Sequence, residues 1–188
     1  MKVPSYNKNN RRKTFEQLPK DGYVCKILAI EKMKSKKDQD MIKVSFDIAE
    51  GDYKDFYAKQ FRENTSEDKR WSYDAVMYLV IPYDGCADFI STNWDTFWAD
   101  IEDSNNGYVF SGDEKTVKGK VFGGLFRIEQ TEHNGNIYDH TRLAFTTVAQ
   151  NIRDKKFKLP NDKMIQQDQN QDDFINIPES AELDLPFK

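Results

Sequence analysis

Residue types that define many function classes are scarce in this chain. Its 188 residues include two cysteines and two histidines. Cys25 and Cys86 cannot form a disulfide framework or a cysteine-rich zinc site, and they fit a reducing cytosol. His133 and His140 leave little material for histidine-based catalysis. We therefore expect neither a metal ion nor a cofactor.

Long apolar runs and enzyme motifs are also missing. No run approaches the roughly 18 apolar residues of a membrane-spanning helix, and residues 1–7 lack the apolar segment of a secretory signal. We therefore expect a cytoplasmic protein without membrane contact. The sequence contains no Gly-Xaa-Ser-Xaa-Gly motif and no phosphate-binding glycine loop, and its many carboxylates show no catalytic spacing. The sequence predicts that the protein is not an enzyme.

Charge is distributed unevenly along the chain, whose net charge is −4. Residues 1–13 carry five cations and no acid, whereas residues 159–188 carry seven acids and two lysines. We expect a flexible basic arm (1–18), one folded domain (19–160) and a disordered acidic tail (161–188). A basic arm and an acidic tail favour a domain that binds polyanions and a tail that binds proteins. The acidic domain itself argues against nucleic acid, although a local groove can be basic.

Strand and helix patterns alternate in a recognisable order. Residues 42–48 alternate strictly between apolar and polar side chains, which is typical of a half-buried strand. Residues 23–33 and 53–62 are predicted as strands on either side of it, and 71–82 as a short strand or an irregular cover. Apolar residues at helical spacing predict an amphipathic helix over 86–103.

Two further strands, 116–132 and 137–151, are predicted to form a hairpin around Asn134 and Gly135. Three strands, a helix and two strands is the plan of an OB-fold, a five-stranded barrel that binds oligomers on its strand 2–3 face and on loops 1–2 and 4–5. The predicted fold is therefore mainly β, an OB-fold-like barrel with one amphipathic helix between strands 3 and 4.

Aromatic and basic residues on this barrel predict an interface with single-stranded nucleic acid. Such interfaces stack bases on aromatic rings while cations follow the phosphates. On the predicted third strand, Tyr53, Tyr57 and Lys59 share one face, although one aromatic set can equally belong to the core. The predicted stacking residues are Tyr53, Tyr57 and Trp71, and the predicted phosphate contacts are Lys34, Lys36, Lys37, Lys59 and Arg142.

The tail has two parts. Residues 161–173 are rich in Gln, Asn and Asp without periodicity, which predicts a disordered linker. The chain ends in an acidic, apolar tip that could bind an apolar pocket with a basic rim. The residues predicted to bind a partner are Asp184, Leu185, Pro186 and Phe187.

The barrel plan, the linker and the tip together resemble bacterial and phage single-stranded DNA-binding proteins. The tip matches the Asp-Ile/Leu-Pro-Phe ending of that family, except that Lys188 follows the phenylalanine. Segments 41–53, 115–124 and 151–160 are similar to proteins of phages and mobile elements of Gram-positive bacteria. The resemblance implies sequence-tolerant binding of single-stranded DNA in replication or recombination inside the bacterial cytoplasm. It also implies recruitment of replication, recombination or repair proteins through the tip.

Two other functions remain open from the sequence. The domain could bind another protein of a phage replication or structural complex without contacting DNA, which its acidic charge favours. A small nuclease is the other alternative, although no motif supports it. The oligomeric state is not determined by the sequence, and a homo-oligomer is possible.

Overall fold

Five strands form one antiparallel sheet in the computed structural model, which describes residues 16–165. The strands are β1 (Gly22–Lys34), β2 (Asp40–Ile48), β3 (Val76–Val80), β4 (Val121–His133) and β5 (Asn136–Thr147). Within residues 16–165, three α-helices accompany them: α1 (Phe56–Glu63), α2 (Asp88–Ser104) and α3 (Ala149–Arg153). None of the helices within residues 16–165 has the length and apolarity to cross a membrane.

The strand order in the sheet is β3-β2-β1-β4-β5. The two edge strands, β3 and β5, share no backbone hydrogen bonds in the described part of the chain, so the sheet is not closed. The mainly β class is confirmed, and α2 lies between β3 and β4 in the chain, as predicted. Asn134 and Gly135 connect β4 to β5 with φ angles of 51° and 74°. Positive φ at both central positions is typical of a type I′ hairpin turn.

The core lies on one face of the sheet. Ile42, Val44, Phe46 and Ile48 are buried on β2, as their alternation predicted. Helix α2 adds large side chains to the same cluster, which are Phe97, Trp98 and Ile101. Gly124 is buried where a Cβ atom would lie 2.8 Å from Cδ1 of Leu143, so the strand passes its neighbours too closely for a side chain.

The prediction of a third strand at 53–62 is wrong. The chain turns after β2 and forms α1, and the third strand is Val76–Val80, within the segment predicted as a short strand or cover. The cause is the buried carboxylate of Asp47 on β2. It accepts hydrogen bonds from the backbone N–H groups of Ile48 (2.8 Å), Tyr57 (3.0 Å) and Ala58 (3.0 Å). The first-turn N–H groups of a helix lack intrahelical acceptors. The carboxylate of Asp47, which lies outside α1, accepts from two of these groups.

Both ends of the described chain lie against the β4–β5 hairpin. The side chain of Gln17 donates to the carbonyl oxygen of Asp139 (3.1 Å), and the backbone N–H of Ile165 donates to Oε1 of Gln130 (3.2 Å). Gln130 in turn donates to Oδ1 of Asp139 (3.0 Å). The segments predicted as basic arm and acidic tail therefore join the described domain at the same hairpin.

Removal of the Asp47 carboxylate should destabilise the protein strongly. In Asp47→Ala, three backbone N–H groups lose their acceptor, and two of these hydrogen bonds are buried. We expect a loss of about 3 kcal/mol in the free energy of unfolding, measured by urea denaturation. Asp52→Ala removes an exposed acid from the same turn and should change stability by less than about 0.5 kcal/mol. Equal effects of the two substitutions would contradict the capping role of Asp47.

Burial raises the pKa of Asp100 on α2 to about 6, against an opposing hydrogen bond from Thr146. Its Oδ2 atom has no hydrogen-bond partner among the described residues. The protonated form is favoured in the folded state, so this stabilisation is present below about pH 4 and is lost as the pH rises through 6. Relative to Asp100→Asn, the wild-type protein should lose about 2 kcal/mol of stability between pH 4 and 7. Urea denaturation of both proteins across this range measures the difference, and a difference that stays constant with pH would contradict the buried, titrating carboxyl.

Candidate nucleic-acid interface

The outward-facing side of β1, β2 and β3 carries a row of polar and aromatic residues. Met77 and Leu79 of β3 pack against the core, so Tyr78 between them points to the opposite face of the sheet. Tyr78 lies opposite Lys43 of β2, and Lys43 lies opposite Glu31 of β1. Tyr78 is 38% exposed.

A second tyrosine extends this row. Tyr73 begins the short 3-10 helix Tyr73–Ala75 before β3 and is 60% exposed. Its ring centroid lies 6.2 Å from that of Tyr78, with 40° between the ring planes. The guanidinium carbon of Arg142 on β5 lies 4.7 Å from the centroid of the Tyr73 ring. We call Tyr73, Tyr78, Lys43 and Arg142 the tyrosine face, a combination of exposed rings and cations that suits the stacking of bases.

Each cation of the tyrosine face has an acidic partner. The ammonium group of Lys43 lies 3.1 Å from Oε2 of Glu31. The guanidinium group of Arg142 lies 3.2 Å from Oδ1 of Asp74 and 3.7 Å from Oε2 of Glu129. The local charge is therefore nearly balanced, and stacking on the rings is the main attraction that this face can offer a strand.

A cleft of about 370 Å³ continues from the tyrosine face into the gap between β3 and β5. Its volume is at the lower end of the range for small-molecule sites. Its lining includes Tyr73, Tyr78, Arg142 and the acid Glu129, and α2 contributes Phe97. The gap between the edge strands β3 and β5 thus forms a cleft next to the tyrosine face.

The loop between β1 and β2 carries the predicted Lys36 and Lys37, and the predicted Lys34 is the last residue of β1. Oγ of Ser35 accepts hydrogen bonds from the backbone N–H groups of Lys37 (3.2 Å) and Gln39 (3.1 Å), which fixes the loop. Lys34 forms an ion pair with Asp40 (2.9 Å). Lys36 and Lys37 are exposed, and no ion pair holds them within residues 16–165. These two lysines are free to contact phosphate.

The predicted stacking residues are not on a strand face. Tyr57 is 3% exposed, and its ring packs edge-on against Phe46 and Phe56. It is a core residue, so its predicted stacking role is a misassignment. Tyr53 is half-buried in the turn before α1, where its ring packs edge-on against Tyr23 (5.8 Å).

The remaining predicted residues have mixed positions. Lys59 is exposed on α1. Trp71 is half-buried against Phe61 (5.9 Å), and its indole N–H donates to the carbonyl oxygen of Ala75 (3.3 Å). Arg142 is the predicted residue that belongs to the tyrosine face. The predicted tip residues Asp184, Leu185, Pro186 and Phe187 lie outside the described residues.

Sequence reasoning missed Tyr73, Tyr78 and Lys43. A signal for two of them was present: Lys43 is on the polar side of the strict alternation in β2, and Tyr78 lies between two apolar residues in a short β-rich segment. The pairing of these two strands was the missing information, because it brings residues 35 positions apart into register.

Comparisons with known proteins do not assign the chain to a family. No protein-family model matches it, and curated proteins give no match. Within residues 16–165, no group of three or more His, Cys, Asp or Glu side chains is placed to hold a metal ion.

Proposed function

We propose that this protein binds single-stranded DNA without strong sequence preference, in phage or mobile-element replication or recombination, and that it is not an enzyme. The tyrosine face carries this proposal. Tyr73 and Tyr78 are exposed, lie 6.2 Å apart and are accompanied by two cations. Exposed rings next to cations are the means by which proteins bind single strands without reading base edges.

The strand order supports an OB-type barrel that is open between β3 and β5. A barrel of that type, opened between its third and fifth strands, has the order β3-β2-β1-β4-β5 and a helix between strands 3 and 4. OB-folds bind oligomers on the strand 2–3 face and on loops 1–2 and 4–5. In this assignment Lys43 and Tyr78 lie on that face, while Lys36 and Lys37 lie in loop 1–2.

In the proposed mechanism, bases stack on Tyr73 and Tyr78, and the lysines contact the phosphates of the strand. Each stacked base contributes about 1–3 kcal/mol, and every base offers a ring face, so the sequence matters little. Lys36 and Lys37 meet phosphates without giving up an acidic partner. Lys43 exchanges its contact with Glu31 for a phosphate.

The acidic tip has a separate role in this proposal. Asp184, Leu185, Pro186 and Phe187 recruit replication, recombination or repair proteins, as their resemblance to the family tip implies. The tail leaves the described domain at Ile165, beside the β4–β5 hairpin. Deletion of residues 166–188 should therefore remove partner binding and leave the tyrosine face intact, whereas Asp162 and Lys163 hydrogen-bond to β4 and are kept.

Titration of a labelled oligo-dT with the full chain, followed by fluorescence anisotropy, tests the proposal. A label on the DNA is preferable to tryptophan emission because Trp98 is buried and Trp71 and Trp94 are half-buried. We expect saturable binding that exceeds binding to a matched duplex and weakens with salt. Absence of binding, or equal binding to the duplex, would refute the proposal.

Removal of either exposed tyrosine should weaken the complex. Tyr73→Ala and Tyr78→Ala should each reduce the affinity for oligo-dT by about tenfold or more, because a stacking platform is lost. Phe89→Ala is the matched control, since Phe89 is 50% exposed on α2 and does not belong to the tyrosine face. A loss in the Phe89 variant equal to that in the tyrosine variants would contradict the assigned face.

The two free lysines should account for a measurable part of the salt dependence. In the double variant Lys36→Ala, Lys37→Ala, the slope of log affinity against log salt should become shallower by about 1.4, since each phosphate contact with a single strand contributes about 0.7. The control replaces Lys115 and Lys118, exposed lysines near the 3-10 helix Glu114–Val117. The assignment fails if the control changes the slope as much as the loop variant does.

A protein-interaction module without DNA contact is the second candidate. The ion pairs of Lys43 with Glu31 and of Arg142 with Asp74 favour it, because paired cations attract a polyanion weakly. It requires that oligo-dT fail to bind at any salt concentration. The anisotropy titration therefore separates the two candidates.

A further inference from the structure

A small cleft of about 180 Å³ lies between α1 and the segment that follows it, distinct from the tyrosine face. Helix α1 contributes one wall, and residues 64–72 contribute the other. The lining residues are Tyr57, Gln60, Phe61, Asn64, Arg70 and Ser72. In the described part of the chain, this lining includes an arginine and no carboxylate.

The polar groups of the cleft are mostly unused hydrogen-bond donors. Oδ1 of Asn64 accepts from the backbone N–H of Ser66 (3.0 Å), which leaves its amide NH₂ to donate. Oγ of Ser72 accepts from the backbone N–H of Asp74 (3.3 Å), which leaves its O–H to donate. The guanidinium group of Arg70 is exposed and has no ion pair among the described residues. Such a set of donors matches an anion with several oxygen atoms.

The hydroxyl group of Tyr57 is a further unused donor among the residues that line the cleft. Tyr57 lines the cleft and is 3% exposed, and its buried hydroxyl has no hydrogen-bond partner within residues 16–165. Buried polar side-chain atoms in proteins nearly always have a partner. Burial, with the nearby charge of Asp74, raises the pKa of Tyr57, so the hydroxyl remains a donor at all physiological pH values.

A second cation lies next to a residue that lines the cleft. The ammonium group of Lys69 lies 4.8 Å from the centroid of the Phe61 ring, and Phe61 lines the cleft. Glu67 and Asp68 of the same segment are exposed and contribute nothing to the lining. Arg70 is therefore the charged residue of the lining, with Lys69 beside it and the carboxylate of Asp74 near Tyr57.

We propose that this cleft binds a phosphate group. Arg70 holds two of its oxygens with paired N–H donors, and Asn64, Ser72 and Tyr57 donate to the others. The phosphate comes from the 5′ end of a bound strand or from a free phosphate compound. The first source rests on the proposed function, and the second does not.

The test is an NMR titration of the full, nitrogen-15-labelled chain with inorganic phosphate at constant ionic strength, with chloride as the reference anion. The side-chain signals of Arg70 and Asn64 should shift and saturate. Arg70→Gln should abolish the response, while Arg62→Gln should retain it, because Arg62 is an exposed cation of α1 that does not line the cleft. Asn64→Asp keeps the acceptor for Ser66 and places a negative charge in the cleft, so it should also abolish the response.

A second arm compares oligo-dT with a 5′-phosphate and with a 5′-hydroxyl. If the strand end supplies the phosphate, the phosphorylated oligomer should bind about tenfold more tightly, and Arg70→Gln should remove that difference. If inorganic phosphate shifts the NMR signals of the cleft but the 5′-phosphate of the oligomer has no effect on affinity, the free-phosphate source is supported. If no oligomer binds but phosphate still shifts Arg70, the cleft assignment stands and the proposed function fails. An unresponsive Arg70 signal in wild type, or equal losses in Arg70→Gln and Arg62→Gln, would overturn the inference.

Discussion

The buried carboxylate of Asp47 is the interaction on which the arrangement of the site depends. Burial raises the pKa of Asp47, and the N–H groups of Tyr57, Ile48 and Ala58 oppose that shift by stabilising the charged form. These contacts fix the start of α1 against the end of β2. Helix α1 then forms a wall of the small cleft, and the chain after it returns to place Tyr73 and β3 beside β2. A single acid thus connects the core to both candidate surfaces.

The parts of the fold that could be predicted are those with local signals. The alternation in β2, the Asn134-Gly135 turn and the apolar spacing of α2 each depend on a few neighbouring residues. The segment 53–62 was misassigned because its aromatic residues favour a strand locally. Its helix is capped by Asp47, ten residues before Tyr57, and no local pattern contains that contact. Because most of the segment is a helix, the prediction that alternate side chains share one strand face does not apply to it.

The candidate site was harder to predict than the fold because it is assembled across strands. Arg142 was identified from its basic charge on a predicted strand. Tyr73 and Tyr78 acquire significance only when the register places Tyr78 beside Lys43 and the approach of β5 places Arg142 over Tyr73. In the sequence, Lys43 and Tyr78 are 35 positions apart, and Tyr73 and Arg142 are 69 positions apart. Burial of Tyr57 is likewise a tertiary effect, because its neighbours in the sequence are equally compatible with an exposed tyrosine.

In the proposed function, the distribution of ion pairs reconciles the acidic charge of the chain with binding to a polyanion. The cations of the tyrosine face are neutralised by Glu31, Asp74 and Glu129, so this face contributes stacking and little long-range attraction. Lys36 and Lys37 of the β1–β2 loop have no ion pair among residues 16–165, and the neighbouring acids Asp38 and Asp40 pair with Lys34. Exposed charges interact strongly only within about 10 Å at ordinary salt. Under the proposed function, the net charge of −4 matters less to a bound strand than Lys36 and Lys37, and the affinity comes mainly from stacking on Tyr73 and Tyr78.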